Sequence, residues 1–210
     1  AEQDSDAGRK NEPILGADDG ASGVGVLMEI ARLINENPID LGIDIILFDA
    51  EDQGQRGSQP GAQDTWCIGS QYWSKKPHIP GYKANFGILL DMVGAKDATF
   101  NKENVKGIYR NAENVHDLYR KVWSLARAMG KGNHFMNSTV SGIVDDHYYV
   151  NTIAGIAMID IINKPPSGDA SFGLHWHTHN DNMDVIDKKT LGAVGQVVTA
   201  VVYRESTGNF

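Results

Sequence analysis

Ile43-Asp44-Ile45-Ile46-Leu47-Phe48-Asp49-Ala50-Glu51-Asp52 is the stretch that decides the fold class. Its apolar end, Ile45 to Phe48, is continuous rather than alternating, the pattern of a strand covered on both faces. Such strands belong to parallel sheets with helices on either side. Working outward, Phe86–Met92 and Ile156–Ile162 read as further apolar strands. Residues 20–36 carry a helical stripe of Val24, Leu27, Met28, Ala31 and Ile34, with Asp19 or Ser22 as cap and Pro38 just beyond the end. Ile68–Lys76 reads as a short helix, and Val115 to Met129 as an amphipathic one. Lys188–Glu205 closes the chain with Leu191, Val194, Val198, Val201 and Val202 on its apolar face. Alternation of strand and helix predicts an α/β domain with a largely parallel sheet and no second domain.

In such sheets the functional loops gather at the carboxyl ends of the strands. Glu51-Asp52 follows one predicted strand, and Asp91 ends another. A long loop, 163–187, follows the third and carries His175-Trp176-His177-Thr178-His179-Asn180-Asp181. A structural loop has no need of three imidazoles, whereas a metal site uses one or two and orients them with the rest. His177 is the first ligand candidate, with His175 and His179 as alternatives. Asp18 and Asp19 sit among glycines ahead of the first helix, where one binds metal and the other caps. Glu51 and Asp52, as chain neighbours, point in different directions, so one can bind metal while the other faces a substrate. Asp91 and Asp160 are lone acids in apolar strands, which is expensive without a partner. Asp145-Asp146-His147 reads either as a helix start or as part of the site. An Asp/Glu/His donor set suits zinc best.

Composition narrows the function classes. The chain has 210 residues, 41% hydrophobic and 22% charged, enough for one domain with a core. A formal charge of −8 without a basic stripe argues against a nucleic-acid partner. No apolar run approaches the roughly 18 residues of a membrane span. A single cysteine, Cys67, rules out an internal disulfide. The residues alone describe a zinc hydrolase or transferase acting on an amide or acyl carbon.

Four ordered motifs then carry a resemblance. Gly16-Ala17-Asp18-Asp19-Gly20-Ala21-Ser22-Gly23, Asp49-Ala50-Glu51-Asp52, Leu90-Asp91-Met92 and His177-Thr178-His179-Asn180-Asp181-Asn182 resemble the M28-like zinc aminopeptidase family, which includes the animal-type glutaminyl cyclases. Within it the pattern is most similar to the bacterial glutaminyl cyclases. The resemblance implies a three-layer αβα sandwich and one zinc ion held by Asp19, Asp52 and His177. It implies Glu51 as proton shuttle, and Asp91 and Asp145 as further catalytic acids, with Asp146 as the alternative to Asp145. Trp176, Trp66 and Asp160 would contact substrate. The implied reaction closes an N-terminal glutamine to pyroglutamate with loss of ammonia. Peptides or proteins with N-terminal glutamine would be the partners, and a periplasmic, secreted or envelope-associated bacterial location follows from the family alone. An aminopeptidase and a non-enzymatic peptide binder are the alternatives. The family's His-x-Asp motif, on a strand upstream of Gly16, is not found, so the resemblance implies a domain lacking its first strands.

Overall fold

Helix and strand alternate as the periodicities require. The computed structural model describes residues 3–52, 54, 55, 57, 59–165 and 172–210. Its elements in chain order are α1 (Ala21–Glu36), α2 (Ile68–Lys75), β1 (Gly87–Asp91), β2 (Phe100–Asn104), α3 (Ala112–Ala128), β3 (Phe135–Ser141), α4 (Asp146–Tyr149), β4 (Met158–Ile162) and α5 (Lys188–Glu205). A π-helical turn, Val150–Ala154, extends α4. The loop residues expected at 53, 56, 58 and 166–171 lie outside the described residues.

β1 and β4 pair in parallel, with Leu89 opposite Asp160 and Leu90 opposite Ile161. Side chains alternate across a strand, so the pair has two different faces. Leu90, Ile159 and Ile161 enter the main core with Val26 and Ile30 of α1, Val122 and Trp123 of α3, and Val194 and Val201 of α5. Each such apolar side chain contributes roughly 1.5–3 kcal/mol when fully buried. The opposite face carries Asp91, Asp160 and Ile162, and α4 packs against both strands there. Ile162 joins Met92 and Ile143 in a second, smaller core, with Phe172 and Trp176 packed against it. β2 and β3 form another parallel pair, and a bridge from Phe100 to Asn163 ties it to the end of β4. The result is the layered α/β architecture with parallel strand pairs that the patterning predicts.

Three expectations need correction. Residues 43–49 form no ladder; they run unpaired on the far side of a cavity of about 490 Å³ that also borders β1. With no strand alongside, Leu47 stays 64% exposed. The buried stripe of α1 is Ser22, Gly23, Val26 and Ile30, while Met28 is 69% exposed. Gly20, without a side-chain cap, occupies the N-cap expected of Asp19 or Ser22. Polar β2 and β3 carry no apolar run and escaped the periodicity.

Candidate active site

Asp19 is placed by a glycine turn and a clamp. Gly16 has φ +60°, and a Cβ there would lie 2.5 Å from the Asp19 carbonyl oxygen. The Asp181 carboxylate accepts the N–H groups of Asp18 (2.7 Å) and Asp19 (3.1 Å). Asp18 turns inward, accepting the Gly94 N–H at 2.7 Å and facing His175 Nε2 at 2.8 Å. Gly23 lets α1 lie on β1, since a Cβ would meet the Leu90 carbonyl oxygen at 2.2 Å. Asp19 is left facing the crevice, while Asp18 turns away from it.

Glu51 and Asp52 are hung from the start of α2. Cys67, Ile68 and Gly69 donate their N–H groups to the carbonyls of Glu51 (3.0 Å), Ala50 (3.1 Å) and Asp49 (3.1 Å). The first N–H groups of a helix have no partner inside it, so this segment satisfies them. Ala50 (φ 50°) and Cys67 (φ 54°) adopt the left-handed region, which non-glycine residues seldom enter without a surrounding structure that holds them there. The Cys67 thiol lies 3.6 Å from Glu51 Oε1.

The histidine loop divides its imidazoles between roles. His177, also left-handed at φ 57°, points Nε2 at Asp52 Oδ1 (3.0 Å) and Asp19 Oδ2 (3.5 Å). His175 holds Asp18, and His179 Nδ1 lies 2.7 Å from Asp4 Oδ2. The loop thus brings one histidine to the cluster and anchors itself with the other two. Trp176 packs its ring on His177, with centroids 4.2 Å apart, and meets Phe172 at 5.0 Å.

Asp19, Asp52 and His177 offer three ligand atoms within 4.8 Å of one another. Tetrahedral ligation by O and N donors at ordinary metal distances separates donors by about 3.3 Å, close to the spacings here. The charge balance also fits a cation. Asp19, Glu51, Asp52, Asp91 and Asp145 all line both of two adjoining cavities, of about 490 and 510 Å³. Burial, then the Asp52 charge, pushes Asp19 up to about 7. Burial, then Asp145 and Asp52, pushes Glu51 up to about 10. A dication held by Asp19, Asp52 and His177 would relieve that repulsion and would return Glu51 toward the ionised form.

The remaining expected residues fall in three positions. Asp91 and Asp145 reach the crevice, each with its carboxyl raised, first by burial. Trp66 and Trp176 wall the 510 Å³ cavity with Phe172 and Ile143. Asp146 lines only the other cavity. Asp160, expected at the substrate, is fully buried and borders neither cavity; its carboxylate stands behind the crevice wall. Sequence reading missed the supporting work of Asp181, Cys67 and Glu103. Asp181 lay within the histidine stretch, but its clamp on residues 18 and 19 is a long-range contact with no local signal.

The chain belongs to peptidase family M28, whose family model matches residues 3–202. Among solved structures it is similar to the glutaminyl cyclase of Bacteroides thetaiotaomicron bound to N-acetylhistamine, at 48% identity and TM-score 0.87, over 96% of this chain and 68% of that one. It is also similar to a structure described as a leucine aminopeptidase precursor from Bacteroides thetaiotaomicron, at 48% identity and TM-score 0.84, over 96% of this chain and 67% of that one. The bovine glutaminyl-peptide cyclotransferase is 24% identical over 90% of this chain and 56% of its own length. The chain spans about half the length of the curated cyclotransferases it matches. Among the described residues no helix is long and apolar enough to cross a membrane.

Proposed function

We propose that the crevice is the centre of a one-zinc glutaminyl-peptide cyclotransferase. The observation that carries this reading is Trp176, packed on the metal histidine and continuing through Phe172 into an apolar wall beside the acids. That wall suits the aliphatic part of a glutamine side chain and excludes water from a reaction that consumes none. Likeness to bacterial glutaminyl cyclases supports it.

In the reaction the α-amine nitrogen bonds to the side-chain amide carbon, the bond from that carbon to its nitrogen breaks, and ammonia leaves. Zinc, held by Asp19, Asp52 and His177, would polarise the amide carbonyl and offset charge on its oxygen. Glu51 takes a proton from the attacking amine and returns it to the leaving nitrogen. Asp91 and Asp145 accept hydrogen bonds from the amide nitrogen and orient it.

A metallo-aminopeptidase is the second reading, favoured by the likeness to a leucine aminopeptidase precursor; Glu51 would then activate water. Mass spectrometry of Gln-initiated and Leu-initiated peptides incubated with the zinc-loaded protein separates the readings. Ammonia loss from the Gln peptide supports the cyclase, residue removal overturns it in favour of the peptidase, and binding without mass change favours a peptide binder. Substrates with a free N-terminal glutamine, and a periplasmic, secreted or envelope-associated location, belong to the same proposal.

A further inference from the structure

Asp145 stands on a loop whose two ends converge on one buried carboxylate. Glu103, on β2, accepts the Ile143 N–H at Oε2 (2.8 Å) and faces His147 Nε2 with Oε1 at 3.2 Å. Tyr119 of α3 donates its hydroxyl to the same Oε1 at 2.7 Å. The stretch Ile143–His147 is tied at both ends, with Asp145 between them and in turn accepting the Asp146 N–H at 2.5 Å. Side chains of Glu103 and His147 are 1% and 0% exposed, so neither has water as an alternative partner.

Glu103, His147 and Asp160 also bring ligand atoms within metal range. Their arrangement argues otherwise. Glu103 lies at Nε2, whereas Asp160 Oδ2 lies 3.9 Å from Nδ1. The two acids face opposite nitrogens of one ring, and an imidazole directs only one nitrogen at a given ion. The ring stands between two acids, in ion-pair range of Glu103 on one side and at 3.9 Å from Asp160 on the other.

We propose that Glu103 and His147 are positioning residues that clamp the loop presenting Asp145 to the crevice. The proposal rests on the catalytic role of Asp145 in the cyclase reading. The groups facing His147 are Glu103 from β2, Asp160 from β4, the Tyr109 ring edge-on at 6.5 Å, and Asp145 and Asp146 from its own turn. Burial, the largest influence, pulls His147 down, but Glu103 together with Asp145 and Asp146 raises it above its ordinary value. Burial, then the charges of Asp145 and Glu103, push the Asp160 carboxyl well above the usual carboxylate range. The Glu103 carboxyl and the His147 ring close the clamp.

Glu103→Gln keeps the shape but replaces one carboxylate oxygen with an amide NH2, so it cannot both accept the Ile143 N–H and set a negative oxygen against the His147 ring. The test combines Glu103→Gln, Asp145→Asn and the double variant. It reads kcat and KM on a Gln-initiated peptide, zinc content, and amide hydrogen exchange. Glu103→Gln is expected to lower kcat about tenfold through misplacement of Asp145, with KM and zinc content unchanged. In the Asp145→Asn background it adds less than about twofold, because the two residues act as a unit. Exchange accelerates at Ile143 to His147 and stays unchanged in β4. Tyr119→Phe keeps the ring but removes a hydroxyl that donates to Glu103 and also accepts the Asp160 N–H, so it gives the same loop and kinetic pattern more weakly, with faster exchange at Asp160 as its one β4 change, and serves if the first variant does not fold. An equal fall in kcat in both backgrounds, or unchanged exchange in the loop, overturns the proposal. If the wild type leaves Gln peptides intact, the cyclase reading fails and the assigned role of Asp145 with it, while exchange alone still decides the clamp.

Discussion

The crevice has two unlike walls. On one side, β1 and β4 form a parallel ladder whose Ile161 is 0% and Leu90 8% exposed. On the other, residues 43–49 are as apolar as β1 but unpaired, with Ile45 41% exposed. Similar composition has two fates because a strand is defined by its partner as well as by its own residues. The unpaired wall still delivers Glu51 and Asp52 accurately, because three N–H groups at the start of α2 hold it. A ladder positions the first wall and a helix terminus the second.

Metal binding joins the two walls, so its loss is the largest expected effect. Asp52 comes from the hung wall, whereas Asp19 and His177 are anchored through Asp181 and the histidine loop. His177→Ala is expected to release the metal and reduce turnover to background, as is exhaustive chelation of the wild type. Elemental analysis alongside the assay checks this. Two equivalents of metal in the wild type, or full retention in the variant, would break the assignment. Next comes Glu51→Gln, confined to the hung wall. Its expected outcome is retained metal with turnover lowered about 100-fold or more. Near-normal turnover in a metal-replete variant removes Glu51 as the shuttle.

How far the sequence could be read follows the same division. β1 and β4 were legible as continuous apolar runs, α3 and α5 by their 3.6-residue apolar period, and α5 ends where its pattern ends. The convergence of Asp19, Asp52 and His177 was legible because they sit at element ends that this layout brings together. β2 was not, since its buried residues include Asn101 and Glu103, which look like surface residues until their partners are known. Asn101 is satisfied by donation to the Lys164 carbonyl and by the Ser138 hydroxyl, and Glu103 by Tyr119 and Ile143. None of these contacts has a local signature. Asp160 misled for the same reason: a lone acid in an apolar strand marks a polar interior, and only the fold tells which side of the wall it serves.

A smaller effect tests the aromatic closure of the ladder side. Trp176→Ala should lower kcat/KM about tenfold, the scale of one well-placed apolar contact, with metal content intact. Unchanged kinetics would remove the residue that most favours a cyclase over a peptidase.

The smallest expected effect addresses the comparison itself. Leu47 projects from the unpaired wall, so Leu47→Ser should change stability by less than about 0.5 kcal/mol, as surface substitutions do. Ile161→Ala on the ladder provides the scale, at about 2–5 kcal/mol for a buried isoleucine cut to alanine. Chemical denaturation of both variants beside the wild type, at several protein concentrations, makes the comparison quantitative. An unpaired apolar segment facing an open strand edge also invites association between copies. Sedimentation of the wild type should therefore depend on concentration, and that dependence should weaken in Leu47→Ser. A cost for Leu47→Ser near that of Ile161→Ala would mean that residues 43–49 are covered in solution by another strand. The two walls would then be alike, and the helix terminus would no longer be needed to explain how Glu51 and Asp52 are held.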